Sequence, residues 1–119
     1  MMNIEVNGTN IQVKLYNNSS AEAVKELLRK GPFTIPMKDY ANMEKFGSFG
    51  MQFPTNDERI TTQAGDVILS EGNLLVIYYA PNTWNFTRLG KVQNLSESEL
   101  KKVLGKGSIT ATLTLTEEE

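Results

Sequence analysis

Val67-Ile68-Leu69-Ser70-Glu71-Gly72-Asn73-Leu74-Leu75-Val76-Ile77-Tyr78-Tyr79 contains the most apolar strands of the chain. It holds two apolar runs, each too short for a helix and rich in β-branched and aromatic residues, split by Glu71-Gly72-Asn73, a turn signal. A strand wetted on one face alternates apolar with polar residues. These runs are nearly continuous, which predicts a hairpin buried on both faces or built into a closed barrel.

Working upstream, Ala64-Gly65-Asp66 turns the chain into this hairpin, with Asp66 fixing the turn, and Ile60 to Gln63 reads as a short strand. Downstream, Ala80 to Asn85 reads as a loop by its Pro and Asn content, with Trp84, the sole tryptophan, at its tip. Phe86 to Val92 follows as a strand. Ser96 and Glu99 form a capping box, with Leu95 and Leu100 as the flanking hydrophobic staple, and start a helix that ends at Gly105. Ile109, Ala111, Leu113 and Leu115 alternate with threonines in a closing strand.

The N-terminal half is equally readable up to residue 38. Asn7-Gly8 is the preferred pair for a two-residue type I′ turn, which sets Val6 opposite Thr9 and Ile4 opposite Ile11. Ile4, Val6, Ile11, Val13 and Leu15 then share a core face. Ser19 to Glu22 reads as a capping box opening a helix with a Val24, Leu27, Leu28 stripe, stopped by Gly31-Pro32. Phe33 to Lys38 alternates as a strand, and Pro36, lacking an N–H, must sit at an edge or away from a bonded neighbour.

From Asp39 to Arg59 neither period persists. This interval concentrates Tyr40, Phe46, Phe49 and Phe53 with Glu44, Lys45 and Arg59, and a long irregular segment of this content reads as a functional wall. The sum is a mainly β fold: about eight strands and two capping α-helices, closed or nearly closed into a barrel because closure removes exposed edges. Residues 1–116 form its single domain, and residues 117–119 an acidic frayed tail.

Composition narrows the chemistry. The 119 residues carry a net charge of -2, with neither cysteine nor histidine. Disulfides, thiol nucleophiles, histidine general bases and Ser-His-Asp triads are excluded. No metal motif and no cofactor are implied. No basic run suggests nucleic acid, no apolar run reaches membrane length, and Met1 to Val6 lacks the pattern of a signal peptide, so a cytoplasmic protein is expected.

The order of these motifs resembles the bacterial cyclophilin-like domains of uncharacterised function. The likeness runs through the Asn7-Gly8 hairpin, the helix ending in Leu27-Leu28, Thr34-Ile35-Pro36-Met37, Glu44-Lys45-Phe46-Gly47, Ala64-Gly65-Asp66, Leu75 to Tyr79 and Arg88-Leu89-Gly90-Lys91-Val92. It implies an eight-stranded cyclophilin-like β-barrel capped by two helices, the fold of the cyclophilin peptidyl-prolyl isomerases. Gly90-Lys91-Val92 is similar to a late strand of true cyclophilins. Their Phe-His-Arg and Gly-Gly-Asp cleft segments have no counterpart here.

Tyr40, Glu44, Phe46, Arg59, Trp84 and Arg88 are the candidate ligand-binding residues. Prolyl isomerisation needs an apolar pocket and a cation that favours the twisted amide, roles open to Arg59 or Arg88, against a barrier of about 18–20 kcal/mol. Against these stand plainer roles: Arg88 paired to a carboxylate on the barrel wall, Glu44 and Lys45 as turn residues, and Phe46, Phe49 and Phe53 as anchors of a loop. The leading expectation is a cleft that binds a small ligand or an extended peptide without hydrolytic chemistry. The alternative is a prolyl isomerase without histidine.

Overall fold

Asn7 and Gly8 adopt positive φ angles of 51° and 81°, and between them turn β1 (Met2–Val6) back into β2 (Thr9–Leu15). Val6 lies opposite Thr9 and Ile4 opposite Ile11, the register that the turn type demands. Ile4, Val6, Ile11 and Val13 are fully buried, and Leu15 packs partly against the same core.

The computed structural model describes residues 1–116; residues 117–119, expected as an acidic tail, lie outside the described residues. Helix α1 (Ser19–Arg29) starts where expected, but its cap is Asn18, whose side chain accepts from the Ala21 N–H at 2.8 Å. The capping box expected at Ser19 does not form: counted from Asn18 the third helical residue is Ala21, which has no side chain to reach back to the cap, and Glu22 pairs with Lys25 instead. Asn is as good a cap as Ser, and the substitution frees two hydroxyls: Ser20 donates to the Pro54 carbonyl at 2.5 Å and Ser19 accepts from the Asn56 amide at 2.8 Å.

Strand β3 (Phe33–Tyr40) runs into a tight turn at Ala41 and Asn42, each with φ of 55°, and returns as β4 (Glu44–Ser48). The first part of the interval expected to be irregular is therefore a hairpin. Its second strand hides because its barrel-facing positions are Lys45 and Gly47 instead of apolar residues, so period-two hydrophobicity is lost. A Cβ at Gly47 would come within 2.5 Å of the Pro36 carbonyl oxygen and 2.6 Å of Ile35 Cγ2, so the barrel wall has room only for glycine. Pro36 lies opposite Thr110, while pairing of β3 to β4 begins only at Lys38, so the missing donor falls where that ladder is interrupted.

The remaining elements are β5 (Glu58–Thr61), β6 (Asp66–Ser70), β7 (Leu74–Tyr78), β8 (Thr83–Val92), α2 (Glu97–Leu104) and β9 (Ile109–Leu115). All pairings are antiparallel. The order β2-β1-β9-β3-β4-β7-β6-β8 closes on itself through a β2–β8 seam that sets Val13 against Val92 and Leu15 against Gly90. This is a closed eight-stranded barrel with two helices. Strand β5 stands outside the ring, paired only with the first half of β8.

Two apolar clusters result. The barrel interior joins Met2, Ile35, Leu69, Leu75, Ile77 and Leu113 to residues of both helices. Outside the barrel, Ile60 of β5 covers Ile68, Val76, Tyr78 and Phe86. The β6–β7 hairpin is therefore buried on its inner and outer faces alike, which explains its near-continuous hydrophobicity. Phe49 and Phe53 belong to the interior, their rings 4.9 Å apart and edge-on. They anchor the connection between β4 and β5 and line neither of the two concavities described below. No helix among the described residues is long and apolar enough to cross a membrane.

Candidate functional site

Strand register brings the site together. Glu44 of β4 lies opposite Tyr40 of β3 on one side and Tyr78 of β7 on the other, and Phe46 lies opposite Val76. Residues opposite one another point to the same face, and because Val76 and Tyr78 belong to the outer cluster, this face is outside the barrel. Across the sheet, β8 presents Trp84 opposite Ile60 of β5 and Phe86 opposite Glu58. Trp84 was expected at a loop tip; it is in a strand, because β5 supplies a partner that extends β8 back to Thr83.

These residues enclose a concavity of about 360 Å³ whose walls include Tyr40, Glu44, Phe46, Tyr78, Trp84 and Phe86. Tyr40 is 57% exposed and Trp84 60% exposed at the rim, whereas Glu44 is only 9% exposed. Tyr40 meets Phe46 edge-on at 6.4 Å between ring centroids, and Tyr78 meets Phe86 at 5.5 Å. The Asn82 side-chain amide donates to the Tyr78 hydroxyl at 3.0 Å. Asn82 is itself held by Thr62, which accepts from its N–H at 2.9 Å and donates to its carbonyl at 3.1 Å. Glu71 and Ser70 close the far side.

Burial sets the electrostatics. Loss of water raises the Glu44 carboxyl above its ordinary range; the neighbouring Tyr78 hydroxyl offsets part of the rise, and the negative charge of Asp39 adds to it. The Tyr78 hydroxyl is pushed far up by burial, against the Asn82 amide and together with the nearby Glu44 carboxylate.

Four of the six candidate residues, Tyr40, Glu44, Phe46 and Trp84, thus share one concavity, and the two arginines do not line it. Arg59 is exposed on β5, opposite Asn85. Arg88 is exposed on the outer face opposite Ile68, and no carboxylate pairs with it among the described residues. Sequence reading missed Tyr78, Glu71 and Asn82. Tyr78 is legible only once β4 is recognised as a strand, since its partner is Glu44.

Lys45, adjacent to Glu44, points the other way. It is fully buried, donating to Asp39 at 3.1 Å and to the Gly107 carbonyl at 2.6 Å, with its ammonium 5.9 Å from the Tyr79 ring centre. The Tyr79 hydroxyl also donates to Asp39. Burial alone would raise the Asp39 carboxyl, but hydrogen bonds from Tyr79 and Lys45, the lysine charge and the Asn42 N–H together hold it below the usual carboxylate range. Lys45 and Glu44 are thus strand residues of opposite faces, not residues of a turn. Asp66 accepts from the Gln63 N–H at 2.8 Å and pairs with Lys91 at 3.0 Å, fixing its turn.

A second concavity, about 410 Å³, opens beside Asn7, Pro36, Lys38 and Thr110 and contains none of the candidates. No group of three or more Asp or Glu side chains among the described residues is placed to hold a metal ion.

The profile of the Cyclophilin-like family matches residues 4–115. The chain belongs to that family. Among solved structures, this cyclophilin-like chain superposes on McbB, determined in complex with tryptophan, with a TM-score of 0.66 and 16% identity. The match covers 100% of this chain and 46% of McbB, so the chain spans less than half of that protein. The hypothetical protein AF2241 from Archaeoglobus fulgidus superposes with a TM-score of 0.68 and 12% identity, over 93% of this chain and 91% of the other. At these identities the likeness is one of fold. No curated protein matches.

Proposed function

We propose that this cyclophilin-like chain binds a small ligand or an extended peptide in the concavity between β4, β7 and β8, without hydrolytic chemistry. The observation that carries the reading is the convergence of Tyr40, Glu44, Phe46 and Trp84, delivered by three strands, on one aromatic concavity. Pockets of this kind combine apolar walls with a few placed polar groups. An exposed tryptophan held in a strand supplies contact area at low entropic cost. That McbB was determined with tryptophan supports a small aromatic molecule as a ligand. The compartment proposed is the cytoplasm, from the composition.

Arg59 and Arg88 lie outside the concavity, and the isomerase alternative requires one of them beside a bound proline. Arg88 is the better placed, since it shares the outer face with Phe86. A protease-coupled assay with proline peptides tests it: the binding reading predicts no rate above background. A rate abolished in Arg88→Ala would establish the isomerase instead.

Binding itself is tested by exciting the single tryptophan at wavelengths where tyrosine is dark, and titrating aromatic amino acids and short peptides. A saturable change in Trp84 emission is expected, lost when Phe46→Ala and Tyr40→Ala open the wall. Unchanged emission across such a panel would remove the reading.

A further inference from the structure

The walls of the outer concavity are chemically one-sided. Two acidic residues, buried Glu44 and exposed Glu71, line it with Tyr40, Phe46, Tyr78 and Trp84, and none of its lining residues is a lysine or arginine. The aromatic rings present negative π faces. The Tyr78 hydroxyl accepts from the Asn82 amide and turns its own proton to Glu44, so neither group brings a charge to the concavity. Glu44 is set nine-tenths deep between two tyrosines of neighbouring strands, while the nearest buried cation, Lys45, faces the opposite side of the sheet and is spent on Asp39 and Gly107.

Resting on the binding reading above, we propose that the ligand is an organic cation, a primary or substituted ammonium on an aromatic or alkyl stem. The ammonium sits against the Glu44 carboxylate at the floor, and the stem lies between Trp84 and the Tyr40–Phe46 pair. Three physical arguments point the same way. The Glu44 carboxylate is partnered by the neutral Tyr78 hydroxyl, and no lining residue of the concavity supplies a positive charge to offset its burial. A cation over aromatic faces gains attraction that grows as water is excluded. An anionic ligand would meet two carboxylates and no counter-charge, which selects against it. A zwitterionic amino acid is accepted less well than its decarboxylated amine, because its carboxylate meets Glu71 or open solvent.

Three phenyl ligands of matched size separate the possibilities: phenethylamine, 2-phenylethanol and 3-phenylpropionate, titrated against Trp84 emission at neutral pH. The expected order is amine tighter than alcohol by about tenfold or more, with the carboxylate weakest. Glu44→Gln, which keeps shape and hydrogen bonding, is expected to weaken the amine about tenfold and to leave the alcohol unchanged. An alcohol or a carboxylate that binds as tightly as the amine overturns the charge assignment while leaving the concavity a binding site. Equal amine affinity in Glu44→Gln also overturns it. Silence of all three ligands at millimolar concentration overturns the binding reading together with it.

Discussion

Lys45→Met removes the ammonium that ties the β3–β4 hairpin to the loop before β9, and with it the support behind Tyr40 and Glu44. The lysine is fully buried and donates to Asp39 at 3.1 Å and to the Gly107 carbonyl at 2.6 Å. Breaking a buried ion pair by removing one partner costs about 3–5 kcal/mol, because the other charge is left uncompensated. Here Asp39 retains the Tyr79 hydroxyl and the Asn42 N–H at 3.2 Å, and its side chain is 17% exposed, which places the loss near the low end. Methionine fills similar volume, so cavity terms are small. A loss of about 3 kcal/mol, with a urea slope of about 1–3 kcal/mol per molar, lowers the midpoint by about 1–3 M. Urea titration followed by far-UV circular dichroism measures it. The double variant with Asp39→Asn is expected to be far more stable than the sum of the single losses implies, since both charges go together. The pair also carries a pH signature. The Asp39 carboxyl is held below its ordinary value, so its contribution is complete above the usual carboxylate range and fades as pH falls through the lowered value; Lys45→Met flattens that acid limb. A loss under 1 kcal/mol, or strict additivity in the double variant, would show that the Lys45–Asp39 pair does not hold the hairpin.

Other perturbations follow from single features. Glu44→Gln stabilises the fold near neutral pH: burial holds the Glu44 carboxyl above its ordinary value, so its contribution is complete below the usual carboxylate range and is lost as pH rises through the raised value. Thermal unfolding at neutral pH and near pH 4 should show a gain that shrinks in acid, and a loss at neutral pH contradicts the assignment. Gly90→Ala strains the β2–β8 seam, where a Cβ would approach Val13 Cγ1 to 2.5 Å and the Lys14 carbonyl oxygen to 2.7 Å. Overpacking against backbone predicts a loss of about 1–3 kcal/mol, read as a lower Tm. Asn18→Ala removes the cap of α1 and is expected to cost about 1 kcal/mol. Ser19→Ala, which gives up only the Asn56 contact, should cost less in the same denaturation experiment.

The barrel was legible in the sequence where local chemistry and global packing agree. Asn7-Gly8 fixed its own register, Ser96 and Glu99 capped α2 reciprocally, and the β6–β7 hairpin announced burial on two faces. The expected tally of eight matches the ring, yet its membership differs: β4 is in it and β5 is not. Both differences have one cause. Strand β4 turns Lys45 and Gly47 inward, where an ion pair and a close crossing replace apolar packing, so its period is invisible until Asp39, Gly107 and Pro36 are placed beside it. Strand β5 looks like any short strand from Ile60 and its neighbours, and only tertiary structure says that it covers the outside.

The candidate site was legible in part for the same reason. Tyr40, Glu44 and Phe46 stand out as aromatic and charged residues within the Asp39 to Arg59 interval and Trp84 as the single tryptophan beyond it, and one concavity holds all four. Tyr78 and Asn82 lay unnoticed because their roles depend on the register of β7 against β4 and on the Thr62 contact. Arg59 and Arg88 are candidates by residue type, which carries no information about which face of a strand a residue occupies.

Binding at the outer concavity is read residue by residue by amide and indole chemical-shift mapping during a phenethylamine titration. Saturable shifts of the Trp84 indole N–H and of the Glu44, Val76 and Phe86 amides along one binding curve are expected, with Asn7 and Thr110 at the other concavity unmoved. Shifts centred on Asn7, Lys38 and Thr110, or none along the row from Tyr40 to Trp84, would contradict it.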